Sequence, residues 1–366
     1  MTATLVGLSF PGKALRGPGA VDSLGALCKA RGGRAYVLGG RTALAKTNER
    51  LLASLARHGV QAAAVAWYGG ECTEEIIGQR AAEAVAARAE VIIAVGGGKA
   101  LDTGKAVAAK CGLPVITVPT IAATCAAVTP LTVLYNDAGA FVRNLFLEDC
   151  PAATVVDTAI LVDAPPRWLI AGMGDTLAKL YELRAAAAKL TPTSLTISAV
   201  ANGQICYDII RRFGAEARRS AETKTLGEAF ASTVEAIVLT AGLSSIFGGD
   251  KLRNAAAHAI YNGFTTIPAT HAVAHGAIVG YGNLCLLALE ERGDAELLAE
   301  IALAESCGIP VTLAQIADLT EEQMAAAAAA AAWAAAMKCM PFDVSADMVV
   351  AAMRRVDSLA IRPAGR

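Results

Sequence analysis

Between residues 34 and 118 the sequence alternates short apolar runs with longer helical stretches. The runs predicted as strands, with one later run added, are Arg34 to Leu38, Gln61 to Trp67, Glu90 to Val95, Val115 to Val118 and Ala153 to Val156. The predicted helices between them are Thr42 to Arg57, Thr73 to Arg88 and Gly97 to Lys110. Continuous apolar strands that alternate with helices are typical of a parallel sheet covered on both faces. We therefore predict a Rossmann-like α/β domain with a parallel sheet.

The pattern changes at Pro165-Pro166. From Arg167 onward, long apolar stretches at helical spacing are separated by short Gly or Pro segments, without runs of alternating strand residues. A chain of 366 residues is expected to form about two domains. We predict an α/β domain over residues 1–160 and an all-helical domain over residues 161–366, with the boundary between residues 157 and 167.

Composition excludes several classes of partner. Lys and Arg total 32 against 33 acidic residues, so the chain lacks the basic excess that nucleic acid or an anionic membrane would require. The nine cysteines are scattered without a CxxC motif, which favours a reducing, cytoplasmic setting over a disulfide framework or a cysteine zinc cage. Met1 to Leu5 does not open a signal peptide. The most membrane-like segment, Ala325 to Ala332, is too short for a span and is predicted to be an ordinary helix.

Histidines and one aspartate form the first chemical motif. Of four histidines, His258, His271 and His275 lie within an 18-residue segment, and Asp175 ends the turn-like run that begins at Gly172. A single histidine on an apolar helix is more often a core residue than a ligand. Imidazole and carboxylate groups together suit a divalent transition metal, and the clustering favours a catalytic metal site.

A glycine-rich turn is the second motif. A buried strand from Val91 to Val95 leads through Gly96, Gly97 and Gly98 directly into a predicted helix. Glycines let a pyrophosphate approach the backbone, and a helix N-terminus favours negative charge. The turn matches neither GxGxxG nor GxxxxGK[ST], and alone it fits a structural corner equally well. Its place at the carboxyl end of a parallel strand favours a ligand site.

With both motifs, the chain resembles the glycerol-dehydrogenase branch of the iron-containing, or group III, alcohol dehydrogenase family. The matching runs are Gly69 to Cys72, Gly96 to Ala106, Pro119 to Ala122, Gly172 to Asp175, Ala255 to His258, Asn262-Gly263 and His275-Gly276. The resemblance implies a dehydroquinate-synthase-like fold with a nucleotide-binding domain (1–160), a helical metal-binding domain (161–366), and an active site in the cleft between them. It also implies a homo-oligomer.

The resemblance implies metal ligation by Asp175, His258 and His275. Lys179 stands where iron-type members have a further histidine, so three protein ligands remain and zinc is favoured over iron. Lys179 is a candidate catalytic residue that would help to hold a substrate carboxylate, although a lysine on a helix is usually solvated. His271, at i and i+4 with His275 on one predicted helix face, is a candidate for orienting the ligands or relaying a proton, with direct ligation as the alternative.

For the cofactor, the resemblance implies contacts from residues of the α/β domain. These are Gly97, Gly98 and Lys99 at the pyrophosphate, Asp102 from the same motif, and Thr120, Thr124, Thr129, Leu131 and Tyr135 along the nicotinamide half. Where NAD-specific relatives carry an aspartate after the first strand, this chain has Gly40 and Arg41. A guanidinium accepts a 2′-phosphate that a carboxylate would repel, so NADP(H) is predicted over NAD(H). Arg41 is equally compatible with a solvated surface charge.

The substrate pocket departs from glycerol dehydrogenases at Cys125, where those enzymes carry an aspartate. Losing that acceptor weakens the case for glycerol and makes an anionic substrate easier to admit. The segment from Ala122 to Gly139 is similar to hydroxycarboxylate dehydrogenases, which reduce 2-oxo acids. We predict a metal-dependent, NAD(P)-linked oxidoreductase that transfers hydride between the nicotinamide and a small hydroxy or oxo compound, with 2-oxo and 2-hydroxy acids first and glycerol as the alternative.

Two other classes of function remain open. A dehydroquinate-synthase-like cyclase or lyase would share the fold, the nicotinamide cofactor and the metal. Such a site must clamp a phosphorylated polyol with several cationic side chains, and only Lys179, Lys251 and Arg253 stand near the motifs of the helical half. A sensor that binds metal or nucleotide without turnover is the third possibility.

Overall fold

A computed structural model of the chain describes residues 7–137, 139–250 and 252–361. The segment Met1 to Leu5, which is considered above as a possible signal peptide, lies outside the described residues. So do Ala138 and Lys251. The chain forms two compact units, Met1–Ala164 and Pro165–Arg366. The division between these units falls immediately before the Pro165-Pro166 pair.

The first unit contains a six-stranded sheet in which every neighbouring pair is parallel. Numbered along the chain, its strands are β1 Ala14–Gly17, β2 Arg34–Gly39, β3 Gln61–Trp67, β4 Val91–Gly96, β5 Val115–Pro119 and β8 Ala153–Asp157. Their order across the sheet is β1-β8-β5-β4-β2-β3. All residues of β4, β5 and β8 are buried, as their continuous apolar sequences predicted, and the parallel α/β fold is confirmed.

In the described part of this unit, five helices accompany the sheet. They are α1 Leu24–Lys29, α2 Arg41–Arg57, α3 Glu74–Ala86, α4 Gly98–Cys111 and α5 Thr158–Val162, with a 3-10 turn at Ala20–Ser23. The three helices predicted from sequence are present as α2, α3 and α4. The N-terminus of α3 is capped by the Thr73 hydroxyl, which accepts a hydrogen bond from the Ile76 amide at 3.2 Å.

The sequence interpretation did not predict three of the strands. Edge strand β1 has only four residues, which alternate between exposed and half-buried. The others, β6 Leu131–Tyr135 and β7 Phe141–Phe146, form a separate antiparallel pair. Most of β7 is exposed, with Phe141 at 61%. An isolated two-stranded sheet with one exposed strand lacks the continuous apolar pattern by which the other strands are identified.

Among the described residues of the second unit, all the regular elements are helices, which confirms the prediction. Its α-helices are α6 Pro166–Ala187, α7 Ser194–Thr223, α8 Glu228–Glu235, α9 Ala241–Gly248, α10 Ala256–Phe264, α11 His275–Leu289, α12 Asp294–Ser306, α13 Glu321–Trp333 and α14 Ala346–Ala360. Short 3-10 turns lie at Pro268–Thr270, Leu313–Gln315 and Ala335–Cys339, and a π-helical turn, Ala236–Thr240, joins α8 to α9.

The run from Gly172 to Asp175 was expected to form a turn, and this expectation is wrong. It lies in the middle of α6. The glycines serve a close helix crossing: a Cβ at Gly174 would lie 2.1 Å from the carbonyl oxygen of Gly276 on α11, and one at Gly276 would lie 2.0 Å from that of Ala171. The glycines are therefore needed here because two helices approach closely, and not because the chain reverses direction.

The choice of Ala325 to Ala332 as the most membrane-like segment was also wrong. The alanine tract is part of α13, which has 13 residues. The helical run that is long and apolar enough to cross a membrane is instead Glu228–Gly248, and 61% of its most apolar window is buried inside the structure. A buried core helix of a soluble protein meets the same criteria of length and composition.

Candidate functional site

Asp175, His258 and His275 form a compact cluster within the helical unit. The Oδ1 atom of Asp175 lies 3.4 Å from Nε2 of His258 and 3.7 Å from Nε2 of His275. One ligand atom from each residue lies within 4.8 Å of the other two. Two imidazole nitrogens and one carboxylate oxygen at such separations fit a divalent transition metal and leave a coordination position for a substrate or water.

Three helices bring this cluster together. Asp175 reaches it from the middle of α6, and the glycine crossing places α11, whose first residue is His275, against that same turn. His258 lies in the first turn of α10. Tyr261, one turn further along α10, packs edge-on against the His275 ring with centroids 4.1 Å apart. The orientation of His275 is therefore set by an aromatic neighbour that the sequence motifs did not single out.

Sequence reasoning also missed Glu182. This side chain is 1% exposed, and its Oε2 lies 2.6 Å from Nδ1 of His258, the ring nitrogen on the far side from Asp175. Metal-bound histidines usually donate their other ring N–H to such an oxygen. A signal was available: Glu182 follows Asp175 by seven residues, two helical turns, and so shares its face of α6.

The charges in the cluster shift its pKa values. Burial would raise the pKa of Asp175, but the Lys179 ammonium and hydrogen bonds from His258 and His275 outweigh it and hold the pKa well below the usual range. Burial would lower the pKa of His258, but Glu182 and Asp175 raise it to about 9. Burial lowers the pKa of His275. The carboxylate is thus kept ionised, in the form that binds cations.

Lys179 is not a solvated surface residue. It is 8% exposed, one helical turn beyond Asp175 on α6, and its charge acts on that carboxylate. The prediction that it holds a substrate carboxylate stays a prediction.

His271 departs from its predicted geometry. It follows the 3-10 turn Pro268–Thr270, and α11 begins only at His275, so the two histidines do not share one helix face. Ala274 has extended backbone, which separates them. The exposed His271 ring donates from Nε2 to the carbonyl oxygen of Thr265 at 2.9 Å, and it is not a member of the three-residue cluster.

The glycine-rich turn lies at the carboxyl edge of the parallel sheet. Gly96 ends β4 with φ +145°, a conformation that favours glycine, and α4 begins at Gly98. The amide of Thr120, just after β5, donates to the Gly96 carbonyl, and the amide of Gly40, just after β2, donates to that of Val95. Strand order reverses between β4 and β2, and ligands of open α/β sheets bind at such a switch point.

Lys99, in the first turn of α4, is held beside this glycine turn. Its Nζ lies 2.6 Å from Oε1 of Glu71 and 4.8 Å from the centre of the Tyr135 ring. Lys99 therefore contacts a residue of another matching run, Glu71, and a residue predicted to line the nicotinamide, Tyr135. Thr124 is also nearby, because a Cβ added at Gly98 would lie 3.6 Å from its hydroxyl oxygen.

Asp102 forms part of a buried network in the structure. Its carboxylate lies 2.9 Å from Nζ of Lys105 and accepts a hydrogen bond from the Val133 amide of β6 at 3.0 Å. The Lys105 ammonium, whose side chain is fully buried, donates to the carbonyl oxygens of Thr129 and Leu131. Lys105, which was not predicted as a site residue, therefore ties α4 to the segment predicted to line the nicotinamide.

Arg41 is the first residue of α2 and is exposed, so the alternative of a solvated surface charge stays open. Its guanidinium lies 4.1 Å from the centre of the Trp67 ring at the end of β3. Stacking of this kind favours one orientation of the guanidinium. The first turn of α2 contains no acidic residue. Cys125, the predicted substrate-pocket residue, is 8% exposed.

Comparison with known proteins decides the family. A model of the family described as iron-containing alcohol dehydrogenase matches residues 11–158. The chain is also 37% identical over 319 residues to a glycerol dehydrogenase of Pseudomonas putida, with 86% of each chain covered. The chain belongs to the iron-containing alcohol dehydrogenase family. The resemblance predicted from the motifs is thereby confirmed.

Other similarities place this family member among dehydrogenases. It is 38% identical over 285 residues to hydroxycarboxylate dehydrogenase A of Escherichia coli (strain K12), with 77% of each chain covered. A crystal structure of a probable glycerol dehydrogenase from Sinorhizobium meliloti 1021 is 29% identical with a TM-score of 0.85, and the match covers 97% of this chain and 99% of that one.

This iron-containing alcohol dehydrogenase family member is therefore an oxidoreductase of the glycerol dehydrogenase type, as predicted. These similarities to dehydrogenases do not favour the cyclase or lyase alternative. Family membership and the three-residue cluster together indicate a metal ion and a nicotinamide dinucleotide as its cofactors.

Proposed function

We propose that this enzyme is a zinc-dependent, NADP(H)-linked dehydrogenase that interconverts a small 2-oxo acid and its 2-hydroxy acid. The convergence of Asp175, His258 and His275 is the observation that carries the proposal. These residues would hold the metal, which when bound polarises the substrate oxygen while the nicotinamide exchanges the hydride. Three protein ligands, with Lys179 one turn beyond Asp175, support zinc over iron.

The chain's own residues supply orientation and charge. Glu182 and Tyr261 hold the two imidazole rings in place, and Lys179 favours the ionised form of Asp175. The buried Lys179 ammonium would attract an anionic substrate more strongly than a solvated one, since charges interact more strongly away from water. An exposed histidine near the cluster in sequence, His271, is proposed to exchange a proton with solvent.

We propose that the dinucleotide binds at the carboxyl edge of the sheet in the α/β unit. Gly97, Gly98 and Lys99 would meet the pyrophosphate at the N-terminus of α4, where the first helical N–H groups lack partners within the helix. Thr120, Thr124, Thr129, Leu131 and Tyr135 are proposed along the nicotinamide half. Asp102, from the same motif as Lys99, would support that segment through Lys105 and the Val133 amide. Gly40 leaves room at the start of α2, and Arg41, stacked on Trp67, presents a cation for a 2′-phosphate.

There are two candidate substrates, a 2-oxo acid and glycerol. Cys125 in place of the aspartate of glycerol dehydrogenases favours a 2-oxo acid, because no carboxylate there repels the substrate anion. Glycerol is the second candidate, since the Pseudomonas putida relative carries that name. The scattered free cysteines support a reducing, cytoplasmic setting, and we propose a homo-oligomer without nucleic-acid or membrane partners.

The experiment compares kcat/KM for a short 2-oxo acid, an aldehyde and glycerol with both cofactors. We expect the 2-oxo acid with NADPH to give the highest value, and Cys125→Asp to shift the preference toward glycerol. Higher activity of the unaltered enzyme with glycerol would reject the 2-oxo acid.

Cofactor choice is tested by Arg41→Ala. Loss of one charge-assisted bond to a phosphate should lower the NADPH to NADH ratio of kcat/KM by about 10- to 100-fold. Lys46→Ala is the matched control, because Lys46 lies on the same helix but pairs with Asp163. An unaltered ratio in Arg41→Ala would remove this residue from cofactor selection.

A further inference from the structure

Glu182 makes three hydrogen bonds in two different directions. Its Oε1 accepts from the backbone amides of Ala255 at 2.7 Å and His258 at 2.9 Å. Its Oε2 lies 2.6 Å from Nδ1 of the His258 ring. One oxygen thus holds the start of α10, whose N-cap Ala255 has no side-chain cap of its own, and the other holds the imidazole.

The bond to the ring determines which nitrogen can bind a metal. A carboxylate accepts hydrogen bonds and cannot donate them, so Nδ1 of His258 must carry its proton. The remaining nitrogen, Nε2, is the one that lies 3.4 Å from Asp175. Glu182 also fixes the ring through the backbone, since the same carboxylate holds the amide of His258 itself.

We propose that Glu182 is a positioning residue for metal binding, which selects the tautomer and orientation in which His258 offers Nε2 to a divalent cation. The inference rests on the proposed metal site and adds to it a residue that touches neither metal nor substrate. A carboxylate of this kind also makes the imidazole a stronger ligand.

Glutamine separates this role from a purely structural one. In Glu182→Gln the amide oxygen replaces Oε1 and keeps both backbone hydrogen bonds, so the start of α10 is retained. The amide nitrogen replaces Oε2 and donates toward Nδ1, which favours the opposite tautomer with the proton on Nε2. The substitution therefore reverses one hydrogen bond and preserves two.

The test measures zinc affinity of the metal-free protein by competition with a chromophoric chelator. Glu182→Gln should bind zinc about 10- to 100-fold more weakly than the unaltered protein, and its cobalt-substituted form should show an altered visible spectrum. Its thermal unfolding without metal should stay close to that of the unaltered protein. Glu300→Gln is the matched control, because Glu300 bonds to Tyr181 and Tyr207 and should leave zinc affinity unchanged.

Unchanged zinc affinity and an unchanged cobalt spectrum in Glu182→Gln would overturn the inference while leaving the metal site intact. If the unaltered protein binds no stoichiometric zinc, the proposed function itself fails. If Glu182→Gln does not fold, histidine ¹⁵N spectra of the unaltered, zinc-loaded protein decide, with a His258→Asn spectrum for assignment. A proton on Nδ1 of His258 supports the inference, and zinc on Nδ1 rejects it.

Discussion

At the scale of single residues, the cluster depends on a balance of charge rather than on any one group. Asp175 and Glu182 bring two carboxylates to His258, while the Lys179 ammonium offsets part of that negative charge. Burying such charges is costly unless each is paired, and here each has a partner. The arrangement is consistent with a site in which a bound metal cation takes the place of the second proton on His258.

Replacing His258 by alanine removes one of the three proposed ligands and leaves Glu182 without its imidazole partner. We expect kcat/KM to fall by at least about a hundredfold and zinc to be lost. Mutating a residue that only hydrogen-bonds to a metal ligand already lowers metal affinity or activity by up to about a hundredfold. His58→Ala is the control, because His58 contacts the Ser54 carbonyl in the other unit. Zinc content by elemental analysis and steady-state assays check both variants, and a fully active, zinc-replete His258→Ala enzyme would contradict the assignment.

At the scale of elements, the crossing of α6 and α11 decides whether the cluster can form. Gly174 and Gly276 let the two backbones approach until no methyl group fits between them. The Asn283 side chain fastens the same crossing by donating to the Gly174 carbonyl at 3.0 Å. Asp175 directly follows Gly174, and His275 directly precedes Gly276. The packing of the two helices therefore also determines the geometry of these two ligands.

Gly174→Ala should therefore cost stability and metal binding together. The new Cβ would meet the Gly276 carbonyl at 2.1 Å, and relieving such a contact typically costs about 1–3 kcal/mol or more. Gly78→Ala in α3 is the control, since its Cβ meets nothing within 4 Å and should stabilise by about 0.5–1 kcal/mol. Urea unfolding measures both, and equal stability of the two variants would refute the packing argument.

Asp357 on α14 links two other segments, and its ionisation should affect stability. It accepts hydrogen bonds from the Tyr281 hydroxyl and the Leu313 amide, yet burial raises its pKa. A raised pKa means that this group's contribution to stability is greatest at low pH and is lost as pH rises through the folded-state pKa. Asp357→Asn should therefore gain stability relative to the unaltered protein as pH rises.

Urea unfolding of the unaltered protein and Asp357→Asn at about pH 4 and pH 7 tests the sign. The difference in unfolding free energy, variant minus unaltered, should be more positive at pH 7. A difference that is the same at both pH values, or larger at pH 4, would show that burial does not penalise the charged carboxyl.

At the scale of the whole molecule, the sequence best predicted the elements whose apolar pattern recurs along the chain. The buried strands β2, β4 and β5 were identified because their apolar runs are continuous, and each ends within a residue of its predicted limit. Glycines were interpreted less well: Gly96 does mark a strand-to-helix turn, but Gly174 marks helix packing, and local sequence does not distinguish these uses. The contact between Glu182 and His258 joins segments 76 residues apart and has no local signature, although the place of Glu182 on the same helix face as Asp175 was a signal for the residue itself.

All three proposed ligands belong to the unit Pro165–Arg366, so metal should stabilise the protein through that unit. At a free zinc concentration of about 100 times Kd, we expect a gain of about 2.7 kcal/mol in the unfolding free energy. Asp175→Asn should show no such gain, and magnesium, which prefers oxygen ligands, should have little effect on either protein. A zinc-dependent rise in Tm that persists in Asp175→Asn would place the binding site elsewhere.

The stacking of Arg41 on Trp67 gives this protein an optical reporter of its own. Trp67 is one of three tryptophans, and its indole ring lies against a cation at the start of the helix proposed to meet the adenosine end of the dinucleotide. Indole emission responds to nearby charge, so we expect a phosphate that draws the guanidinium away to change the fluorescence of Trp67. Occupancy of that end of the cofactor can then be followed without a label, and Trp67→Phe identifies the share of the signal that comes from this ring.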